Sequence, residues 1–324
     1  MNGLRYSLRV GLAAGLALAE TTVAQTYPSQ QVRMVVGYAA GGGADGLIRA
    51  IAPELGEVLG QSVVIDNRGG GGTVIGTHIV AASKPDGYTF YVADNAYIVN
   101  PALMSKLPYD SLRDFVPVVV FSSSSGSLLS VHPSLPAKSV KEFIALARAH
   151  PGKLNYATGG NGTIPHMMGE LLKVVAKINL LHLPYQGTGL AIHAAVSGEV
   201  TVVMGGIFAV KPLADAGRLR VLATASAERI SFLPDVPTFA ESGWPAIEST
   251  GYRGLLAPAG TPRDLIMHVN AAVNKALQMP AVHARLIGAG STPLGGPPED
   301  YGRVIRSEMD KWGKIIRASG RRLD

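Results

Sequence analysis

The stretch Met34-Val35-Val36-Gly37-Tyr38-Ala39-Ala40-Gly41-Gly42-Gly43-Ala44-Asp45 decides how this chain is read. Its apolar run predicts a buried strand, its glycines a turn, and the spacing of Leu47, Ile48, Ile51 and Leu55 a helix. Three consecutive glycines, Gly41 to Gly43, strip the turn of Cβ atoms, so main-chain N–H groups can approach a ligand closely. The first turn of a helix adds unpaired N–H groups and a partial positive charge. Such a turn suits an anion, either a carboxylate or a phosphate.

Working outward, the 324 residues are enough for two domains, and 47% hydrophobic against 16% charged residues marks a well-packed globular chain. Arg5 and Arg9 precede an apolar run from Val10 to Ala19, with Thr22 and Ala24 at the −3 and −1 positions of a cut. That three-part pattern reads as a signal peptide over residues 1–24 and predicts a periplasmic, exported protein. Its removal takes away two cations and one anion, lowering the formal charge from +6 to +5. Cysteine is absent, which excludes disulfides, thiol catalysis and Cys-ligated zinc. The basic residues are scattered, the densest cluster being Arg317, Arg321 and Arg322, and aromatics make up only 6%. Nucleic acid is therefore not an expected partner.

In the first half of the chain, strand and helix alternate as in a parallel α/β sheet. Strands are expected at Val32–Val36, Val63–Ile65 and Tyr88–Ala93, with a helix over Gly46–Leu59 and another from about Val74 to Ala82. Asp94-Asn95-Ala96-Tyr97 reads as a loop beyond the third strand, where open sheets bind ligands. The strand Phe115–Phe121 is followed by a polar run, Ser122 to Ser125, read as a crossing into a second domain. Ser139 and Glu142 form a capping-box pattern. The strand–glycine turn–helix device then recurs at Thr158-Gly159-Gly160-Asn161-Gly162-Thr163, with His166 beyond it, and at Pro184-Tyr185-Gln186-Gly187. A strand from Val200 to Met204 ends in Gly205-Gly206. The organisation expected is one α/β lobe from residues 25–121 with 252–324 and a second from 122–251, the glycine turns converging on one cleft.

Three rival chemistries are weak. Gly41, Gly43 and Gly46 satisfy the dinucleotide fingerprint, with Asp66 near the ribose-binding spacing, but Arg68 sits beside that acid and exported proteins seldom meet free NAD. No G-x-S-x-G elbow is present for a hydrolase, and no H-E-x-x-H pair for a metal. His166, His182 and His193 read as isolated. No catalytic residue, metal or cofactor is expected, and binding without turnover remains. Tyr38, Tyr97 and Tyr185 are either hydroxyl donors in such a site or core aromatics.

Taken in order, Tyr27-Pro28-Ser29, the glycine turn, Asp66-Asn67-Arg68, Pro85-Asp86-Gly87-Tyr88-Thr89, Asn100-Pro101-Ala102-Leu103, Gly160-Asn161-Gly162-Thr163 and Leu255-Leu256-Ala257-Pro258-Ala259-Gly260-Thr261-Pro262 form a distinctive series. The chain resembles the Bug (TctC-like) family of periplasmic substrate-binding proteins of tripartite tricarboxylate transporters. The resemblance implies a venus-flytrap of the type II periplasmic-binding-protein kind, acting as a monomer and delivering a carboxylate to membrane permease subunits. It implies carboxylate pincers at Ala40 to Ala44 and at Gly160 to Thr163 with His166, flanked by Tyr38, Asp45, Asn95, Tyr97, Tyr185 and Gly187. Two departures bear on the ligand: Ala40 and Ala44 replace the proline and threonine usual in the family's turn, and Gly205-Gly206 stands where many relatives carry an acid. Extra space there points to a flat dicarboxylate such as terephthalate. Arg253 is either a partner for its far carboxylate or a solvated hinge residue. A sensor presenting its ligand to a kinase is the second reading.

Overall fold

The computed structural model describes residues 27–320 apart from 42, 125, 231 and 232. The signal-peptide reading of residues 1–24, and the expectations at Gly42, Ser125, Arg321 and Arg322, lie outside the described residues.

The first elements are β1 (Val32–Val36), α1 (Gly43–Arg49), α2 (Ala52–Leu59), β2 (Val63–Asn67), α3 (Val74–Ala81), β3 (Thr89–Ala93), α4 (Asn95–Leu103) and β4 (Phe115–Ser124). There follow β5 (Leu128–Val131), α5 (Val140–Ala149), β6 (Asn155–Thr158), α6 (Ile164–Ala176), β7 (Leu181–Pro184), α7 (Thr188–Val196), β8 (Val202–Gly205), α8 (Ile207–Asp215) and β9 (Arg220–Thr224). The chain ends with β10 (Gly251–Pro258), α9 (Arg263–Leu277), α10 (Pro280–Gly288), β11 (Ser291–Pro293) and α11 (Pro298–Ser319).

The strands form two sheets, in the orders β11-β4-β10-β3-β1-β2 and β7-β6-β8-β5-β9. In the first, β2, β1 and β3 are parallel, as the alternating pattern predicts, while β10, β4 and β11 run antiparallel. The second repeats the plan, with β7, β6 and β8 parallel and β5 and β9 antiparallel. Both sheets are therefore mixed, each joining a parallel set of three strands to antiparallel pairs. The antiparallel strands β4 and β10 are those that lead into and out of the second sheet.

Several local differences have clear causes. The helix expected over Gly46–Leu59 begins earlier, at Gly43, and is broken after Arg49. Pro53 lacks the N–H that would bond to Arg49, and its ring would clash with that carbonyl. The serines after Phe121 extend β4 to Ser124 because they pair with β10, Ser122 opposite Arg253 and Ser124 opposite Gly251. The run Asp94–Tyr97 opens α4, with the Asp94 side chain accepting from the Ala96 N–H at 3.0 Å. Serine does the same for α5, where Ser139 accepts from the Glu142 N–H at 3.2 Å.

A single apolar cluster runs between the sheets. It joins Val35, Tyr91 and Tyr97 beside the first to Leu129, Phe143 and Tyr156 beside the second, and includes Trp312 and Ile316 of α11. Helix α11 packs on β4, α4 and α6, so it braces both halves. Each fully buried large apolar side chain contributes about 1.5–3 kcal/mol. Where the chain crosses between sheets, two segments touch main chain to main chain: a methyl group on Gly126 would lie 2.2 Å from the Ala225 carbonyl carbon. Because that neighbour is backbone, G126A should destabilise the protein by about 1–3 kcal/mol, read from urea denaturation; an unchanged midpoint would show that the crossing is loose.

Candidate ligand site between two glycine turns

The carboxyl ends of β1 and β3 carry the first turn and the start of α4. The turn is held from inside by Asp45, which is 2% exposed. Its carboxylate accepts from the Gly41 N–H at 2.8 Å, from Arg49 Nε at 2.9 Å and from Asn67 Nδ2 at 3.0 Å. Asn67 Nδ2 also reaches the Tyr38 carbonyl at 3.1 Å. Burial alone would raise the Asp45 carboxyl, but bonds from Arg49, Gly41 and Asn67 outweigh it and hold the group below its ordinary value. Asp45 is thus the staple of the turn and offers no oxygen to a ligand, contrary to its expected contact role. Ala44 turns its side chain into the core of the first sheet, while Ala40, Gly41 and Gly43 are exposed.

The second turn, at the carboxyl end of β6, is held from behind by His166. The imidazole is fully buried, and its Nδ1 accepts the Gly162 N–H at 3.1 Å, which requires that nitrogen to be unprotonated. The ring stacks on His182 at 4.1 Å with 17° between planes, and His182 stacks in turn on Tyr156 at 4.9 Å. His182 Nε2 meets Thr158 Oγ1 at 2.7 Å, and Tyr156 Oη donates to Glu170 Oε1 at 2.9 Å, where Lys173 also binds. The histidines expected to be isolated are therefore one stack, and His166 shapes the turn without entering it. Thr163 caps α6, and its hydroxyl donates to the Gly160 carbonyl at 2.8 Å. Gly160 gives its N–H to Thr158 Oγ1 at 3.3 Å, whereas the Asn161 N–H meets no acceptor among the described residues.

The two turns meet through α4. A methyl group on Gly162 would lie 3.4 Å from Ala96 Cβ and 3.5 Å from Val99, so the second turn rests on the opening of α4. Beside that contact lie polar groups withdrawn from water with nothing to bond to. Asn95, 1% exposed, has neither Nδ2 nor Oδ1 partnered among the described residues, and Asn161 Oδ1 is in the same state. A buried polar atom left unpaired costs about 1–3 kcal/mol, so such a group demands a reason. Tyr38 Oη is buried beside Asp94 in no well-aligned hydrogen bond. Arg253 Nε and Nη1 are buried without a partner among the described residues, which corrects the reading of a solvated hinge arginine. Burial raises the Asp94 carboxyl and lowers the Arg253 guanidinium, while each charge partly offsets the shift of the other.

Other expected contacts are committed elsewhere. Tyr97 is 1% exposed, packs edge-on against Phe115 at 5.4 Å and donates to the Ser111 carbonyl, so it is a core residue. Tyr185 Oη bonds to Glu199 at 3.3 Å and its ring packs on the outer apolar cluster of the second sheet. Gly187 caps α7 with a left-handed φ of 120° and donates to the Gly159 carbonyl, placing the third turn beside the second. Gly205 is buried at the end of β8, with room for a methyl group only at 3.2 Å from Val210, while Gly206 faces open space. Asp66 is spent on Arg33 Nε at 2.8 Å and Arg68 Nε at 2.9 Å, which removes the ribose partner of a dinucleotide. Among the described residues no group of acidic and histidine side chains could hold a metal, and no helix is long and apolar enough to cross a membrane.

Two α/β halves with facing turns define the class of a periplasmic solute-binding protein. The family model for the tripartite tricarboxylate transporter family receptor, TctC, matches residues 47–321. The chain is 34% identical to protein BugT of Bordetella pertussis (strain Tohama I) over the full length of both. It superposes on an R. palustris protein solved with adipate with a TM-score of 0.82 at 35% identity, covering 91% of this chain and 98% of that one. MatC from Rhodopseudomonas palustris with bound malate gives a TM-score of 0.81 at 31% identity, covering 90% and 100%. The chain belongs to the TctC family of periplasmic receptors, the Bug proteins among them, which are solute-binding proteins and not enzymes.

Two measurements check the supports of the turns. D45A removes the buried acceptor shared by the Gly41 N–H, Arg49 and the Asn67 amide and should cost about 2–3 kcal/mol. Since the folded carboxyl sits below the ordinary aspartate value of 3.8, the stabilisation is full above that pH and drains away as pH falls through the lower folded value. The gap between wild type and D45A should therefore close in acid, as pH-dependent urea titrations would show. H166F keeps the stacked volume but strands the Gly162 N–H. It should lose about 1–3 kcal/mol and weaken ligand binding; unchanged binding would free the turn from its histidine.

Proposed function

We propose that this chain is an extracytoplasmic receptor that captures a small organic dicarboxylate and hands it to the permease subunits of a tripartite tricarboxylate-type transporter. Residues 1–24 direct export and are removed, and the mature protein works as a monomer. Residues 25–121 with 252–324 and residues 122–251 act as lobes hinged at β4 and β10, closing when one ligand bridges both.

The observation that carries this reading is the set of buried, unpartnered polar groups where the two turns meet: Asn95 on one side and Asn161 on the other. Both an amide donor and an amide acceptor wait there, so a carboxylate with its bridging water would satisfy them together. The relatives solved with adipate and malate hold acids with two carboxylates. The open space over Gly206 favours a flat aromatic diacid such as terephthalate over an amino acid or citrate.

The test is a thermal-shift and calorimetric screen of purified mature protein against mono-, di- and tricarboxylates. A bound ligand raises the melting temperature as its concentration passes Kd. Dicarboxylates are expected to give the largest shifts, and N95A and N161A each to weaken binding roughly 10-fold or more. A screen in which no carboxylate shifts the protein, or in which the ligand is recovered chemically altered, overturns the proposal.

A further inference from the structure

Strand β10 brings one cation to the junction of the two sheets. Arg253 stands opposite Ser122 of β4, and the next residue, Gly254, pairs with Ala93, which immediately precedes Asp94. It therefore sits at the same sheet edge as the first turn and α4, at the hinge end of the gap. Two residues before it, Gly251 lies against Ile164, the first residue of α6, so the second turn's helix borders the same place.

The bonding there is incomplete. The nearest opposite charge is Asp94, whose carboxylate is already engaged by the Ala96 N–H as the cap of α4 and makes no hydrogen bond to the guanidinium. Tyr38 and Tyr301 are the other groups that feel its charge; the Tyr38 hydroxyl lies beside Asp94, and that of Tyr301 is buried without a partner among the described residues. Ser122 Oγ, fully buried, is also unpartnered. A buried guanidinium with two idle nitrogens is strongly unfavourable unless an anion comes to it. Asp94 nearby makes the local charge close to neutral, so a singly charged group suits the place better than a doubly charged phosphate.

We infer that Arg253, seconded by Ser122, receives the far carboxylate of the ligand and makes the protein select two-ended acids over one-ended ones. The inference rests on the carboxylate reading above and adds to it the residue that distinguishes a diacid from its monoacid. The near carboxylate is held by main chain and amides, which discriminate little between ligands. The far one is read by charge.

The experiment compares wild type, R253Q and R253K by calorimetry against linear diacids of four to eight carbons and the three phthalate isomers, each beside its monoacid. Wild type is expected to prefer the best diacid over its monoacid by about 30-fold or more, and R253Q to lose that preference while binding the monoacid within about threefold of wild type. R253K should recover part of the preference, since it restores the charge without the planar donor array. The melting temperature of ligand-free R253Q should equal or exceed that of wild type, because an uncompensated buried charge has been removed. Equal losses for diacid and monoacid, a diacid preference intact in R253Q, or a ligand-free melting temperature several degrees lower would each overturn the inference while leaving the receptor reading in place. A wild type that binds monoacids and diacids alike overturns it too. Failure of wild type to bind any acid in the panel removes the receptor reading, and this one with it.

Discussion

Gly162 can rest on Ala96 because one carries no side chain and the other only a methyl group. That contact joins a turn built on the second sheet to a helix built on the first, and Asn95 and Asn161 are the immediate chain neighbours of the two residues that make it. A larger residue on either side would hold the turns apart and admit water to Asn95 and Asn161. The close contact instead buries those amide groups without partners among the described residues, which costs free energy until something bonds to them. The cost is offset at a distance by the continuous apolar cluster and by α11, which packs on both halves.

The two turns are supported by different physics. A buried carboxylate holds the first, gathering one peptide N–H, one arginine and one asparagine around Asp45. A neutral imidazole, itself wedged in a stack of aromatic rings, holds the second through a single N–H. Neither support presents its own charge to the gap. The field there is set by Asp94 and Arg253, both perturbed by burial, and by the main-chain donors that the supports leave over.

Much of this was legible in the sequence, and the rest was hidden for identifiable reasons. Strands β1, β2 and β3, the glycine turns and the capped helices announce themselves by local pattern, because adjacent residues determine them. The break before α2 needed only attention to Pro53. By contrast β11, the length of β10 and the extension of β4 through its serines depend on pairing between segments over a hundred residues apart, which no local signal carries. The His166–His182 stack joins a helix to a strand, so spacing along the chain could not show it. Tyr97 and Tyr185 have the same composition signal as Tyr38, and only burial and partners separate a wall of the site from a core ring. The solvated alternative for Arg253 falls in the same way, by where the fold puts its nitrogens.

The strand orders also carry a consequence for assembly. The second sheet draws all its strands from one unbroken stretch, β5 to β9, and can form as soon as that stretch is available. The first cannot, since β10, made late in the chain, lies between the early strands β4 and β3. Until residue 258 has been made, the early strands lack their central neighbour, and the long loop closure this demands slows their docking. A polypeptide emerging from the ribosome can thus complete its second sheet while its amino-terminal sheet still waits for the strand that ends at Pro258.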